Sequence, residues 1–220
     1  MKTEDLIVEL ARSAGRVRPL PTPSVRLARW AAATAPLMVL AVIIVGPRAD
    51  VVTAMSQPVF LGMAMVTIAT ALLAAASALV LSIPGLERSA WQRALPLLAG
   101  GAWTCALAYL LALEGAAIER LLQWPVHVAC LLEIAGLSVL PGWALFAMLR
   151  AAAPLRWAWT GALATLAAVA FAAAATQFIC PLDDEAHQLV GHVLPVALLS
   201  LLGAIAGQRL LLLSPYHSNG

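Results

Sequence analysis

Long apolar runs, broken by short polar segments, set the architecture of this chain. A helix that crosses a bilayer needs roughly 20 consecutive apolar residues. Six runs meet that length, at about 27–46, 59–83, 94–113, 125–149, 158–179 and 189–213. The pattern predicts an all-α, polytopic membrane protein with six transmembrane helices. Ahead of the first run lies a different pattern. Leu6, Ile7, Leu10, Ala11 and Ala14 recur at helical spacing and form one apolar stripe. Thr3 is placed to cap this short amphipathic helix, Glu4 and Asp5 suit its positive end, and Gly15 is placed to stop it. Helices this short are marginal in water, so it needs a partner or the membrane to order against. Pro19, Pro21 and Pro23 then alternate in an extended, semi-rigid linker. The expected organisation is therefore a helix and linker over 1–25, a membrane domain over 26–213 and a tail over 214–220.

Composition agrees with the pattern. The chain is 62% hydrophobic and 11% charged, more apolar surface than a soluble domain of 220 residues can bury. Pro141 and Pro195 fall inside the fourth and sixth runs, where a proline can kink a membrane helix. Gly203 and Gly207 form a GxxxG pair that permits close backbone approach. No cleavage site follows the first run, so it reads as a retained span.

Charge sets the orientation. With the N-terminus in the cytoplasm, Lys2, Arg12, Arg16, Arg18, Arg26, Arg29, Arg88, Arg93, Arg150, Arg156 and Arg209 all lie inside. Those are eleven of the 13 Lys and Arg residues, and only Arg48 and Arg120 lie outside. This asymmetry places both termini in the cytoplasm. The basic residues sit at segment ends without clustering, so no direct nucleic-acid contact is expected.

The candidate chemistry gathers at the outer face. His127 and Cys130 begin the fourth run, Cys180 ends the fifth and His192 begins the sixth. Asp183, Asp184, Glu185 and His187 lie in the loop between Cys180 and His192. His127, Cys130 and Glu133 share one broad helical face, with Glu133 deeper and turned into the bundle. Cys130 and Cys180 have similar expected depth and can form a disulfide, react with oxidants or bind a thiophilic metal. His127, Cys130, Cys180, His187 and His192 are the candidate ligands for a transition or heavy metal ion, though no zinc-finger spacing demands one. His187 and the acidic residues read first as solvated loop groups, and Cys105 as inert packing in the third run. Protease, hydrolase, phosphate-loop and dinucleotide motifs do not occur, so an enzyme is not expected. A small metal or solute transporter using His127, Cys130, Glu133 and His192 is the main rival, and a haem- or quinone-binding membrane protein the next.

The opening Lys2-Thr3-Glu4-Asp5-Leu6-Ile7, the Val17-Arg18-Pro19-Leu20 linker, the six spans, Cys130, and Cys180-Pro181-Leu182-Asp183-Asp184 followed by His192 together resemble the NrsF family. That family comprises multi-pass anti-sigma factors of the bacterial inner membrane, which restrain an extracytoplasmic-function sigma factor. The resemblance covers nearly the whole chain. It implies that Cys130 and Cys180 correspond to the family's paired periplasm-side cysteines and sense redox or heavy-metal stress. It also implies that the cytoplasmic N-terminal segment contacts the sigma factor, with Leu6, Ile7 and Leu10 laid into a groove on that partner. The remaining partner is the lipid bilayer.

Overall fold

A computed structural model describes residues 3–13, 19–86, 90–114, 124–152 and 154–212. Among these the chain is helical, with no strand. The helices are α1 (Thr3–Ser13), α2 (Pro23–Val45), the short α3 (Val51–Met55), α4 (Pro58–Leu81), α5 (Trp91–Glu114), α6 (Trp124–Arg150), α7 (Trp157–Thr176), the single turn α8 (Glu185–His187) and α9 (Leu194–Leu212). A π-helical stretch, Gln188–Val193, joins α8 to α9. Six helices in this set are long and apolar enough to span a membrane: α2, α4, α5, α6, α7, and the continuous α8–π–α9 segment.

The expected boundaries shift by a few residues for local reasons. Proline is favoured in the first turn of a helix, where its missing N–H is not needed. Pro23 and Pro58 accordingly start α2 and α4, so Pro23 belongs to the first span and not to the linker. Gly46, at φ 104°, ends α2 in a conformation open to glycine, and its N–H bonds Val42 O. Thr3 is already helical and is not the cap expected of it; Gly15 lies outside the described residues. The expected tail, 214–220, lies outside them too.

Helix α7 is the most buried span and sits at the centre. Its sequence explains why. Small side chains let neighbouring backbones approach from more than one side. Ala164 and Ala167 meet Ala74, Ala75, Ala78 and Leu79 of α4, with Trp30, Leu145 and Leu149 in the same core. On the flank facing α9, Gly161 stands against Gly203 and Gly207. A Cβ added at Gly161 would fall 2.4 Å from Gly203 O and 2.6 Å from Gly207 Cα. The GxxxG pair of α9 is thus an interhelical seam. A second core, toward the other end, joins Trp103, Leu107, Ile134, Val169, Ala172, Ala173 and Val196.

Large apolar side chains such as Ile43, Ile44, Val59, Met65, Trp143 and Leu201 point outward, as lipid contact requires. Cys105 is among the outward-facing residues, so it is exposed to lipid and does not pack in the core. Pro141 lies within α6, and its carbonyl accepts a 3.0 Å bond from Trp30 Nε1. Pro195 is the second residue of α9, just past the π-helical stretch.

The two ends of the bundle differ. At the end where α2 starts, Arg26 is buried and donates to Ser82 Oγ at 3.2 Å and to Met148 O, which ties α2 to the ends of α4 and α6. At the opposite end, the start of α6, the end of α7 and the start of α8 converge beneath the α2–α3 loop. The sulfur and imidazole groups lie there.

Candidate functional site

Cys130 enters from the second turn of α6, one helical turn beyond His127. Cys180 follows the last turn of α7, where its N–H bonds Thr176 O at 2.8 Å. The two sulfurs are 3.4 Å apart as free thiols, with Cys130 donating to Cys180. Both are buried. His187 sits between them and α6. Its Nε2 lies 3.4 Å from Cys130 Sγ and 3.3 Å from Cys180 Sγ, and its Nδ1 lies 3.0 Å from Nδ1 of His127. His187 is 1% exposed, which overturns its reading as a surface loop residue. His192 completes the cluster, with its ring 5.6 Å from that of His187 and edge-on to it.

The local sequence accounts for this placement. Asp184 caps the turn that carries His187, accepting from the N–H of Ala186 at 3.1 Å and of His187 at 3.3 Å. Asp184 is therefore a structural cap and not merely a solvated charge. Gly191 leaves room for the imidazole: a Cβ there would meet His187 ring atoms at 3.0–3.4 Å.

Arg48, outside the expected set, closes the site from above. Its side chain is 1% exposed, yet it meets two carboxylates. Nη1 donates to Asp183 Oδ1 at 2.6 Å, and Nε and Nη2 hold the two oxygens of Asp50 at 2.7 and 2.9 Å. Nη1 also reaches the Cys180 carbonyl at 3.3 Å, and the Arg48 N–H bonds Phe178 O at 3.0 Å. The guanidinium lies 5.6 Å from the Phe60 ring centroid. The hydrogen bonds it donates to Asp183 and then Asp50 raise the Arg48 pKa above its ordinary value, and Arg48 in turn lowers that of Asp50. A signal for Arg48 was present in the sequence. It is one of two basic residues that the charge pattern sets apart from the other eleven, on the same expected side as the acidic loop, and such a residue invites pairing.

The Cys180 thiol is pulled well below its usual value, chiefly by the Cys130 S–H that donates to it and then by His187 and His192. Glu133, three residues deeper than Cys130, is half-buried. His127 is buried and meets the cluster through His187. The four donors that converge are Cys130, Cys180, His187 and His192, all within 4.8 Å of one another.

The geometry lies inside a recognised family: its model, described as NrsF, negative regulator of sigma F, matches residues 10–212. This chain belongs to the NrsF family. No curated protein and no solved structure shows significant similarity to it. Membership in NrsF makes the chain a membrane-embedded negative regulator of a sigma factor. The matched region contains the six spans and every residue of the thiol–imidazole cluster, but of the α1 stripe it leaves out Leu6 and Ile7.

Proposed function

We propose that this NrsF protein is an inner-membrane anti-sigma factor with both termini in the cytoplasm. It sequesters an extracytoplasmic-function sigma factor through α1 and releases it when redox or heavy-metal stress acts on Cys130 and Cys180. The supporting observation is the state of α1. Leu6, Ile7 and Leu10 are 41%, 59% and 59% exposed, and every residue from Thr3 to Arg12 faces outward. An exposed apolar stripe on a short helix fits the helix-in-groove mode of recognition. A family of sigma-factor regulators supplies the partner class.

The cluster supports the sensing half of the reading. Its two thiols touch, they lie at the end of the bundle opposite the start of α2, and they join α6 to the segment that leads into α9. A reaction that changes the bond between them alters how these helices pack. Release then requires two bundle states with different affinity for the signal. This activity consists of binding and release, and no catalytic step is assigned to the chain.

The deciding experiment is co-purification of the sigma factor with full-length protein carrying Leu6→Asp or Leu10→Asp. Burying a carboxylate in an apolar groove costs several kcal/mol, enough to abolish retention. Both variants should insert normally and lose the sigma factor. Undiminished retention by both would remove α1 as the binding element.

A further inference from the structure

His187 and His192 are five residues apart. On an α-helix that spacing turns the second side chain about 140° away from the first. Here residues Gln188–Val193 form a π-helical stretch, whose wider turn returns position i+5 toward the same face. Such stretches are uncommon and concentrate at functional sites. This one brings His192 beside the Cys130–Cys180–His187 group and seats it there fully buried. Neither ring nitrogen of His192 has a hydrogen-bond partner of ordinary geometry. A buried polar group without a partner is costly, and these two nitrogens call for a ligand.

We propose that Cys130, Cys180, His187 and His192 form a closed, four-coordinate site for one zinc ion. Metal–sulfur bonds of about 2.3 Å and metal–nitrogen bonds of about 2.0–2.1 Å give tetrahedral edges of roughly 3.8 Å between sulfurs and 3.6 Å between sulfur and nitrogen. The corresponding distances here are 3.4 Å for the sulfurs, and 3.4 and 3.3 Å from them to His187 Nε2. For these three donors an outward shift of a few tenths of an ångström fits the ion, while the widest separation within the group of four, up to 4.8 Å, closes to the same edge.

The surrounding groups suit the same assignment. With Nε2 of His187 on the metal, its Nδ1 carries the proton and donates to His127 Nδ1 at 3.0 Å, the outer hydrogen bond that metal-bound histidines ordinarily make. His127 is thereby a positioning residue and not a ligand. Arg48 fixes the Cys180 carbonyl from outside the cluster. Two thiolates and one divalent cation sum to zero charge, which suits a buried site at a membrane face. Binding releases to solvent the S–H protons that the two cysteines still carry and involves no electron transfer. A two-sulfur, two-imidazole donor set selects zinc among common divalent ions, and thiolates also admit softer cations.

The centre is argued from the cluster itself and does not depend on sigma-factor binding. Full-length protein should be purified reduced in detergent, its zinc measured by mass spectrometry, and cobalt(II) exchanged in as a spectroscopic probe. The expected result is about one zinc per chain and a cobalt spectrum with thiolate charge-transfer bands and the intense visible bands of tetrahedral coordination. Cys180→Ser and His192→Ala should each lower zinc content at least tenfold, His192→Cys should restore much of it, and Cys105→Ser should leave it unchanged. Sub-stoichiometric zinc together with no cobalt charge transfer in the parent protein overturns the proposal, whatever the variants do. So does a cobalt spectrum that survives unaltered in Cys180→Ser and His192→Ala. Sigma factor retained by a zinc-free parent protein defeats the metal centre and leaves the anti-sigma reading standing. A zinc-loaded protein that binds no sigma factor does the reverse.

Discussion

Arg48 closes on Asp183 across most of the chain, with Nη1 2.6 Å from Oδ1 although the arginine is almost wholly shielded from solvent. The pair pins the α2–α3 loop onto the segment that follows Cys180. It also places a cation where the same guanidinium can hold the Cys180 carbonyl. Charge-assisted, forked contacts of this kind are worth more than an exposed ion pair.

Removing the fork should loosen this end of the bundle. Arg48→Ala strips the bonds to Asp183, Asp50 and the Cys180 carbonyl, with an expected loss of about 2–4 kcal/mol for a nearly buried charged group. Arg48→Lys keeps the charge but cannot reproduce the fork, so it should fall between alanine and the parent. Thermal unfolding in detergent measures the order. Alkylation of Cys180 should accelerate in the same sequence. Equal melting temperatures for all three proteins would show that the pair is ornamental.

Acid should erase what Asp50 adds. Arg48 holds the Asp50 carboxyl below the ordinary carboxylate range. A group whose folded pKa is depressed stabilises the fold above its unfolded value, and that contribution disappears as pH falls through the folded value. The parent protein should therefore melt higher than Asp50→Asn above about pH 5, with the gap narrowing as pH falls below the ordinary Asp value of about 3.9. A gap that widens in acid has the wrong sign for this pairing.

The glycine seam predicts a contrast within one residue type. A Cβ at Gly161 would fall 2.4 Å from Gly203 O, and one at Gly207 would fall 2.4 Å from Trp157 O. At Gly136 it would meet nothing within 4 Å. Gly161→Ala and Gly207→Ala should each cost about 1–3 kcal/mol by forcing α7 and α9 apart. Gly136→Ala should be neutral or slightly stabilising, because alanine favours the helix. Comparable losses at all three positions would contradict the seam.

Much of this architecture is legible in the sequence because lipid imposes one strong rule. Apolar runs of spanning length become helices, and the six appear within a few residues of where the pattern puts them. Cys130 and Cys180 meet as their common depth suggests. His187 is among the candidate ligands, but its burial was hidden for a physical reason: it lies in an acidic, loop-like segment, and only the cap from Asp184 and the gap at Gly191 turn it inward. Its link to His192 was hidden by the helix period itself, since a spacing of five joins one face only where the chain takes π-helical form. Cys105 went the other way, because periodicity within an apolar run does not say which face meets lipid.

Orientation follows from charge and can be checked directly. Eleven of the 13 basic residues fall on the side assigned to the cytoplasm. Single-cysteine labelling or reporter fusions should place position 87 in the cytoplasm and Asp184 in the periplasm. Labelling of both from the same side would sink the arrangement.

The cysteines offer the sharpest test of sensing, because contact predicts a particular arithmetic. Cys130 and Cys180 touch each other and share His187 Nε2, so loss of either leaves the other without its partner. Serine nearly keeps the volume of cysteine and removes thiolate chemistry, so Cys130→Ser and Cys180→Ser should still insert. Residues acting as one unit are non-additive. Each single change should therefore blunt sigma-factor release by a thiol-reactive oxidant or thiophilic metal about as much as the double change does. Cys105→Ser should respond like the parent, since its side chain faces outward and lies outside the cluster. The measurement is sigma-dependent reporter output before and after challenge, with membrane levels of each variant matched. Separate effects of Cys130 and Cys180 that add in the double variant would divide the unit, and a response lost on changing Cys105 would move the sensor to a different helix.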